Sequence, residues 1–139
     1  MAHATNYPEI FDTIIIGAGP AGMAAAVYAA RRKMKALLIC GKVGGQMMWS
    51  SDIENYTGIA QATGPELTKE FFNHIKKIDG DTDHFDLWVR EDEKVSSITK
   101  DERTGIFTLT TTKNQKFLSY TAVITSGKIP RTLNIEGEK

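Results

Sequence analysis

The sequence predicts an α/β fold, a parallel sheet whose first two strands are joined through a helix, with a β-meander further along. Three observations predict it. Phe11-Asp12-Thr13-Ile14-Ile15-Ile16 and Ala36-Leu37-Leu38-Ile39-Cys40 are short apolar runs, as in strands buried on both faces. Between them, Pro20 to Lys33 is alanine-rich, opens on proline and closes on Arg31, Arg32 and Lys33, which suit the negative end of a helix dipole. Beyond residue 93, three β-patterned runs are separated by hairpin-length connections. Strand, helix and strand in that order form a βαβ unit, so the first two strands run parallel.

Each element has its local reason. Residues 1–9 read as a tail leading into the first strand, and residues 10–139 as one folded unit. Residues 41–63 hold no sustained period, so they read as a loop with one short helix. Thr63-Gly64-Pro65-Glu66 has the form of a capping box. Behind it Leu67, Phe71, Ile75 and Ile78 recur at helical spacing, giving an amphipathic helix to about Lys77. Phe85 to Val89 alternates as a strand. The runs Lys94–Thr99, Ile106–Thr112 and Lys116–Tyr120 make a meander over about 94–120, and Ala122 to Thr125 reads as one more buried strand.

Composition narrows the function. The chain has 139 residues, with 17 Lys plus Arg balanced by 17 Asp plus Glu. A net charge of zero supplies no long-range hold on nucleic acid or an anionic membrane, so neither is expected as a partner. Hydrophobic residues at 41% are enough to build a core. The apolar stretch Ile14 to Ala30 is broken by Gly17, Gly19, Pro20 and Gly22, has no basic segment before it and is short for a membrane span, so the expected location is cytoplasmic. The single cysteine, Cys40, allows neither an intrachain disulfide nor a thiolate zinc cluster, and sits in an apolar run as an inert buried thiol. His74 and His84 have no partners at metal-ligand spacing and read as surface histidines. Trp88, Phe71 and Phe72 read as core, and Met47, Met48 and Trp49 as core or interface packing.

The sharpest motif is Gly17-Ala18-Gly19-Pro20-Ala21-Gly22, which leaves a strand and opens a helix. In that context G-x-G-x-x-G is the fingerprint of a Rossmann-like dinucleotide site. Gly17 allows the tight turn, Gly19 lets a diphosphate approach the backbone, and Gly22 lets the helix pack on the strand. Unpaired amides at the helix start then face the anion. One element is missing: where an acid for the ribose hydroxyls belongs, the chain reads Ile39-Cys40-Gly41-Lys42. Lys42 admits a second reading, a contact to a 2′-phosphate and hence NADP, beside the plain one of a solvated loop lysine.

Three further segments follow in order: Gly44-Gly45-Gln46, Ile53-Glu54-Asn55-Tyr56-Thr57-Gly58 and Thr125-Ser126-Gly127-Lys128-Ile129-Pro130-Arg131. With the glycine loop, they resemble the N-terminal FAD-binding segment of the thioredoxin reductase family, over about residues 11–137. The flavoprotein subunit of alkyl hydroperoxide reductase is similar in the same stretch. The resemblance implies an FAD/NAD(P)-binding sheet that is incomplete here, the C-terminal part of the domain being absent. It also implies FAD as cofactor, with NAD(P)H as electron donor in the complete enzyme. Gly17, Gly19, Pro20, Ala21 and Gly22 match the diphosphate loop, and Gly45 and Gln46 the segment beside diphosphate and flavin. Asn55 matches an amide that helps hold the cofactor, Val95 a backbone that meets the adenine, and Ser126 and Gly127 a turn that passes the cofactor again. The family's usual proline is Thr57 here and its usual threonine is Ser126. On their own merits, Asn55 also reads as a turn cap and Gln46 as a solvated side chain.

The chemistry the resemblance implies carries electrons from NAD(P)H through FAD to a cysteine pair and on to a disulfide or other acceptor. These residues hold neither a second glycine fingerprint nor C-x-x-C, and no side chain presents itself as acid, base or nucleophile. The expected function is therefore the FAD-binding portion of such an oxidoreductase, inactive alone. The alternatives are a non-catalytic FAD or NAD(P) module or a subunit of a split enzyme, and an NAD(P)-only protein. An open sheet edge would invite a completing segment, a second chain or a homo-oligomer.

Overall fold

The first apolar run becomes the spine of the molecule. A computed structural model describes residues 7–79, 81, 83–129, 131 and 135. In it β1 (Phe11–Ala18) runs parallel to β2 (Ala36–Val43), with Thr13 opposite Ala36 and Ile16 opposite Ile39. The first helix, α1 (Pro20–Arg31), connects them. Next to β2 lies β3 (Leu87–Arg90), also parallel, reached through the second helix, α2 (Gly64–Asp79). Three more strands, β4 (Val95–Lys100), β5 (Phe107–Thr111) and β6 (Lys116–Ile124), complete a sheet of order β3-β2-β1-β6-β5-β4.

The strand period of two divides the core into two layers. Ile15, Leu38 and Cys40 point to one face and pack with Met23, Ala26 and Ala30 of α1 and Ile75 and Ile78 of α2. Phe11, Ile14, Leu37 and Ile39 point to the other and pack with Leu109 and Phe117 of the meander. The alanines of α1 keep that helix close to the sheet, and its buried residues are Gly22, Met23, Ala26, Ala29 and Ala30. Phe71, Phe72 and Trp88 are half-buried, each packed against one of these clusters. Tyr7 lies in the second, its ring 5.9 Å from Phe11 and 5.7 Å from Phe117.

Local signals hold where their physics is local. At the head of α2, Thr63 N–H and Oγ1 both donate to Glu66 Oε2, at 2.9 and 2.8 Å. Glu66 N–H returns a bond of 3.4 Å to Thr63 Oγ1, completing the capping box. Asp101 Oδ1 accepts from the amides of Arg103 and Thr104, closing the first hairpin of the meander. Asn114, at φ 58°, turns the second.

Three expectations need correction. The runs at 116–120 and 122–125 are one strand, β6, which changes partners along its length. Residues 116–119 pair antiparallel with β5, while 119–124 pair parallel with β1. Nothing between Tyr120 and Ala122 breaks an extended chain, so the two pairings share one backbone. Second, β2 continues beyond Cys40 to Val43, because Ala18 of β1 still has a partner there. Third, β3 begins at Leu87 rather than Phe85. The expected short helix in the 41–63 loop is a 3-10 turn, Gly45–Trp49. Within it Met47 packs on the helix-side core, whereas Met48 and Trp49 are exposed. Residues 1–6 of the tail, Pro130 and residues 136–139 lie outside the described residues. Among the described residues, no helix is long and apolar enough to cross a membrane.

Candidate functional site: the loop between β1 and α1

The site is built where β1 stops. Gly17 takes φ +103°, a left-handed conformation that glycine adopts without strain. A side chain there would also strike the chain opposite, since a Cβ on Gly17 would stand 2.5 Å from the Thr125 carbonyl oxygen. Gly22, in the first turn of α1, has a closer approach still: its Cβ would lie 1.8 Å from the Gly17 carbonyl oxygen. The first turn of α1 therefore rests directly on the loop it closes. Gly19 is the contrast, for a Cβ on it would meet nothing within 4 Å. Its backbone faces open space rather than protein.

That opening has the electrostatics of an anion site. Gly19 is the N-cap of α1 and brings no side-chain acceptor, Pro20 opens the helix, and no acid stands in the first turn. The amides of Ala21 and Gly22 belong to the unsatisfied set at any helix start, and the dipole there is left without a neutralising carboxylate. A diphosphate fits this cradle. A Cβ would fill the space it needs at Gly19, and the glycines at 17 and 22 are required by protein contacts alone.

Neighbouring strands supply the walls. The Gly44 amide donates to the Ala18 carbonyl at 2.7 Å, holding the 3-10 turn against the loop. Gly45 then sits beside Gly19, a Cβ on it falling 3.6 Å from the Gly19 Cα. On the other side β6 ends at the loop. The Thr125 amide donates to the Ile16 carbonyl at 2.9 Å, and its hydroxyl reaches the carbonyls of Ile16 at 2.8 Å and Gly17 at 3.1 Å. The turn of Ser126 and Gly127 follows and is exposed. Thr125 lines the loop, and the motif reading quoted it without giving it a role. Its hydroxyl matters only because parallel pairing of β6 with β1 sets it across from Gly17.

The remaining expected residues lie further out. Gln46 and Asn55 are exposed. The loop carrying Asn55 is closed by paired bonds between Ile53 and Ala62 and by a bridge between Tyr56 and Ile59. Tyr56 packs its ring, tilted, against Phe71 at 5.3 Å and joins Pro20 and Met23 around a groove between α1 and α2, so this loop reaches the first turn of α1. Val95, half-buried, opens β4 just after a crossover whose Glu93 amide donates to the Cys40 carbonyl at 3.1 Å. Val95 therefore follows a crossover held past Ile39, the last regularly paired residue of β2, on the carboxyl side where dinucleotide folds place the ribose.

Cys40 and, at the opposite end of the parallel strands, His84 are structural groups. Cys40 is 2% exposed, and burial, with Glu91 and Asp92 adding negative charge, raises its thiol to about 11. It is not a nucleophile at neutral pH. His84 is exposed and bonded at 2.6 Å to Asp81, which raises its pKa. Among the described residues, no group of three or more metal-ligating side chains comes together.

Known proteins resemble this chain along almost all of it. The family described as pyridine nucleotide-disulphide oxidoreductase matches residues 11–139. Thioredoxin reductase of Bacillus subtilis is 35% identical over 132 residues, which cover 94% of this chain and 38% of that protein. A second thioredoxin reductase, from Ureaplasma parvum, is 34% identical over 131 residues, 94% of this chain and 39% of that one. An alkyl hydroperoxide reductase component of Xanthomonas campestris pv. phaseoli is 27% identical over 130 residues, covering 94% of this chain and 23% of its own. The crystal structure of Lactococcus lactis thioredoxin reductase superposes with a TM-score of 0.78 at 33% identity, covering 91% of this chain and 39% of the other. The chain thus spans well under half the length of each of these relatives.

Proposed function

Because the chain belongs to the pyridine nucleotide-disulphide oxidoreductase family, we propose that it is the FAD-binding portion of a thioredoxin-reductase-like oxidoreductase, passing electrons from NAD(P)H through FAD to a disulfide or other acceptor. The observation that carries this reading is the open face of Gly19, walled by Gly45 and by the Gly17–Thr125 contact. The amides of Ala21 and Gly22, behind Pro20, hold the diphosphate. Gly45 and Gln46 flank it, Asn55 steadies the flavin end, Val95 meets the adenine, and Ser126 and Gly127 close over the middle. FAD, when bound, supplies the two-electron chemistry, and the protein orients it and shapes its surroundings.

A second reading, a non-catalytic FAD or NAD(P) module or a subunit of a split enzyme, is favoured by one fact. The 139 residues contain a single cysteine, and its thiol is buried. The dithiol step cannot take place within them. The FAD-binding reading predicts that the purified chain, incubated with FAD and passed through a desalting column, retains a yellow flavin spectrum. A colourless chain that holds NAD(P)H instead overturns it and leaves the NAD(P) form of the module. NADPH oxidation with an artificial acceptor by these residues alone would eliminate the module.

The outer edge of β6 supports a further part of the proposal, that a partner strand or a second copy completes the sheet. Pairing with β5 stops at Ser119, and Tyr120, Val123 and Ile124 are exposed beyond it. No Lys, Arg, Asp, Glu or Pro interrupts residues 117–127, so this edge lacks the usual protection against pairing. Light scattering should find the chain larger than a monomer; a monodisperse monomer would contradict this part.

A further inference from the structure

The chain lacks an acid at the end of β2, yet a carboxylate stands there in space. Glu93 belongs to the four-residue crossover, 91–94, that leaves β3 at one edge of the sheet and opens β4 in the meander layer. Its amide is bonded to the Cys40 carbonyl. Its side chain has no exposed surface, so it cannot touch a ribose. The carboxylate turns instead to Arg90, whose Nε and Nη2 donate to Oε2 at 3.0 and 2.7 Å. Arg90 is held in turn by Gln115 Oε1 at 2.5 Å and by the Tyr7 hydroxyl at 3.3 Å.

Residues on either side are fixed as tightly. The Lys94 amide donates to Thr112 Oγ1 at 3.2 Å, and its carbonyl accepts from the Thr112 amide at 2.8 Å. The Lys94 stem lies across Gly41, where a Cβ would come within 2.7 Å of it. Cys40 and Gly41 follow Ile39, the last regularly paired residue of β2, and lie on the carboxyl side of the sheet, where dinucleotide folds receive the adenosine ribose.

We propose that Glu93 and Arg90 are positioning residues for the adenosine half of the dinucleotide: they lock the crossover over the carboxyl end of β2, and so fix the backbone at Lys94 and Val95. The proposal rests on the FAD-binding reading above. The carboxylate is buried and the arginine half-buried, both guanidinium bonds fall on Oε2, and removing the arginine leaves the buried charge without its counter-ion. Gln115 and Tyr7 make the arginine a bridge from the β3 edge to the meander and the N-terminal segment.

FAD and FMN test this, because FMN lacks adenosine. Wild type, Glu93→Gln and Arg90→Lys are titrated with each by flavin fluorescence. Glu93→Gln should weaken FAD about tenfold and Arg90→Lys about threefold, with FMN unchanged in both. Equal weakening of the two flavins marks a merely structural role and overturns the proposal, as does no change in either. Should Glu93→Gln not fold, Arg90→Lys, which keeps the charge and loses the pair of guanidinium hydrogen bonds, decides by the same criterion. If the Gly19→Ala loop variant loses FAD while these two do not, the positioning role alone fails. If wild type binds no FAD, the underlying reading fails with it.

Discussion

Gly22 and Gly19 lie three residues apart and should fail in opposite ways when each becomes alanine. At Gly22 the added methyl would stand 1.8 Å from the Gly17 carbonyl oxygen and 2.7 Å from Thr125 Oγ1. An ordinary contact needs well over 3 Å, so the first turn of α1 must retreat by more than about 1 Å. Overpacking of this kind costs about 1–3 kcal/mol. Displacing the Thr125 hydroxyl from its carbonyls adds about 1 kcal/mol, while alanine in place of glycine returns about 1 kcal/mol of helix propensity. The net loss is about 1–3 kcal/mol, a fall in melting temperature of roughly 4–12 °C for a chain of this size. At Gly19 the methyl meets no protein atom, and the residue's φ of −77° suits any side chain. Alanine there should change stability by only about 0.5 kcal/mol, the difference between the two as N-caps. It should still weaken FAD by tenfold or more, because it fills the space through which the diphosphate approaches. Thermal melts and FAD titrations of the two variants check both halves. A Gly22→Ala chain with the wild-type melting temperature would refute the helix-on-loop contact. A Gly19→Ala chain with wild-type FAD affinity would refute the diphosphate cradle.

Other consequences are checked more simply. With its thiol raised to about 11 by burial, Cys40 should not react with a disulfide reagent at pH 8 in the folded chain and should react fully in denaturant; rapid labelling of the folded protein would show the strand end to be open. Thr63→Ala should remove about 1 kcal/mol by deleting the N-cap of α2, read from urea unfolding. His84, raised by its bond to Asp81, binds its proton more tightly folded than unfolded. Its contribution is therefore complete below the unfolded pKa of about 6.5 and disappears as pH climbs through the higher folded value. Melting temperatures of wild type and His84→Gln should thus differ at pH 5.5 and converge above pH 8; a constant difference would remove titration as the cause.

Much of the site was legible because its requirements are local. Gly17, Gly19 and Gly22 are imposed by one turn and one helix start, and the same few residues contain both the strand that precedes them and the helix that follows. The capping box at Thr63 and Glu66 and the hairpin turns at Asp101 and Asn114 are equally short-range. Periodicity also reports burial well, which is why β1, β2 and the apolar face of α2 stand almost where their patterns put them.

What periodicity does not carry is the identity of the neighbour. A buried alternation at 116–124 says that side chains are covered, and says nothing of a backbone that pairs with β5 over one half and with β1 over the other. Only that pairing brings the Thr125 hydroxyl to Ile16 and Gly17. Arg90, Glu93, Gln115 and Tyr7 are separated by up to 108 positions in the chain and form one network only after the meander has folded over the parallel sheet. The sequence alone determined the βαβ unit and the glycine loop that opens its helix, because backbone conformation and hydrophobic period act within a few residues. Strand partners, the wall around the loop and the crossover above β2 were decided by tertiary contacts, since these depend on which distant surfaces bury one another.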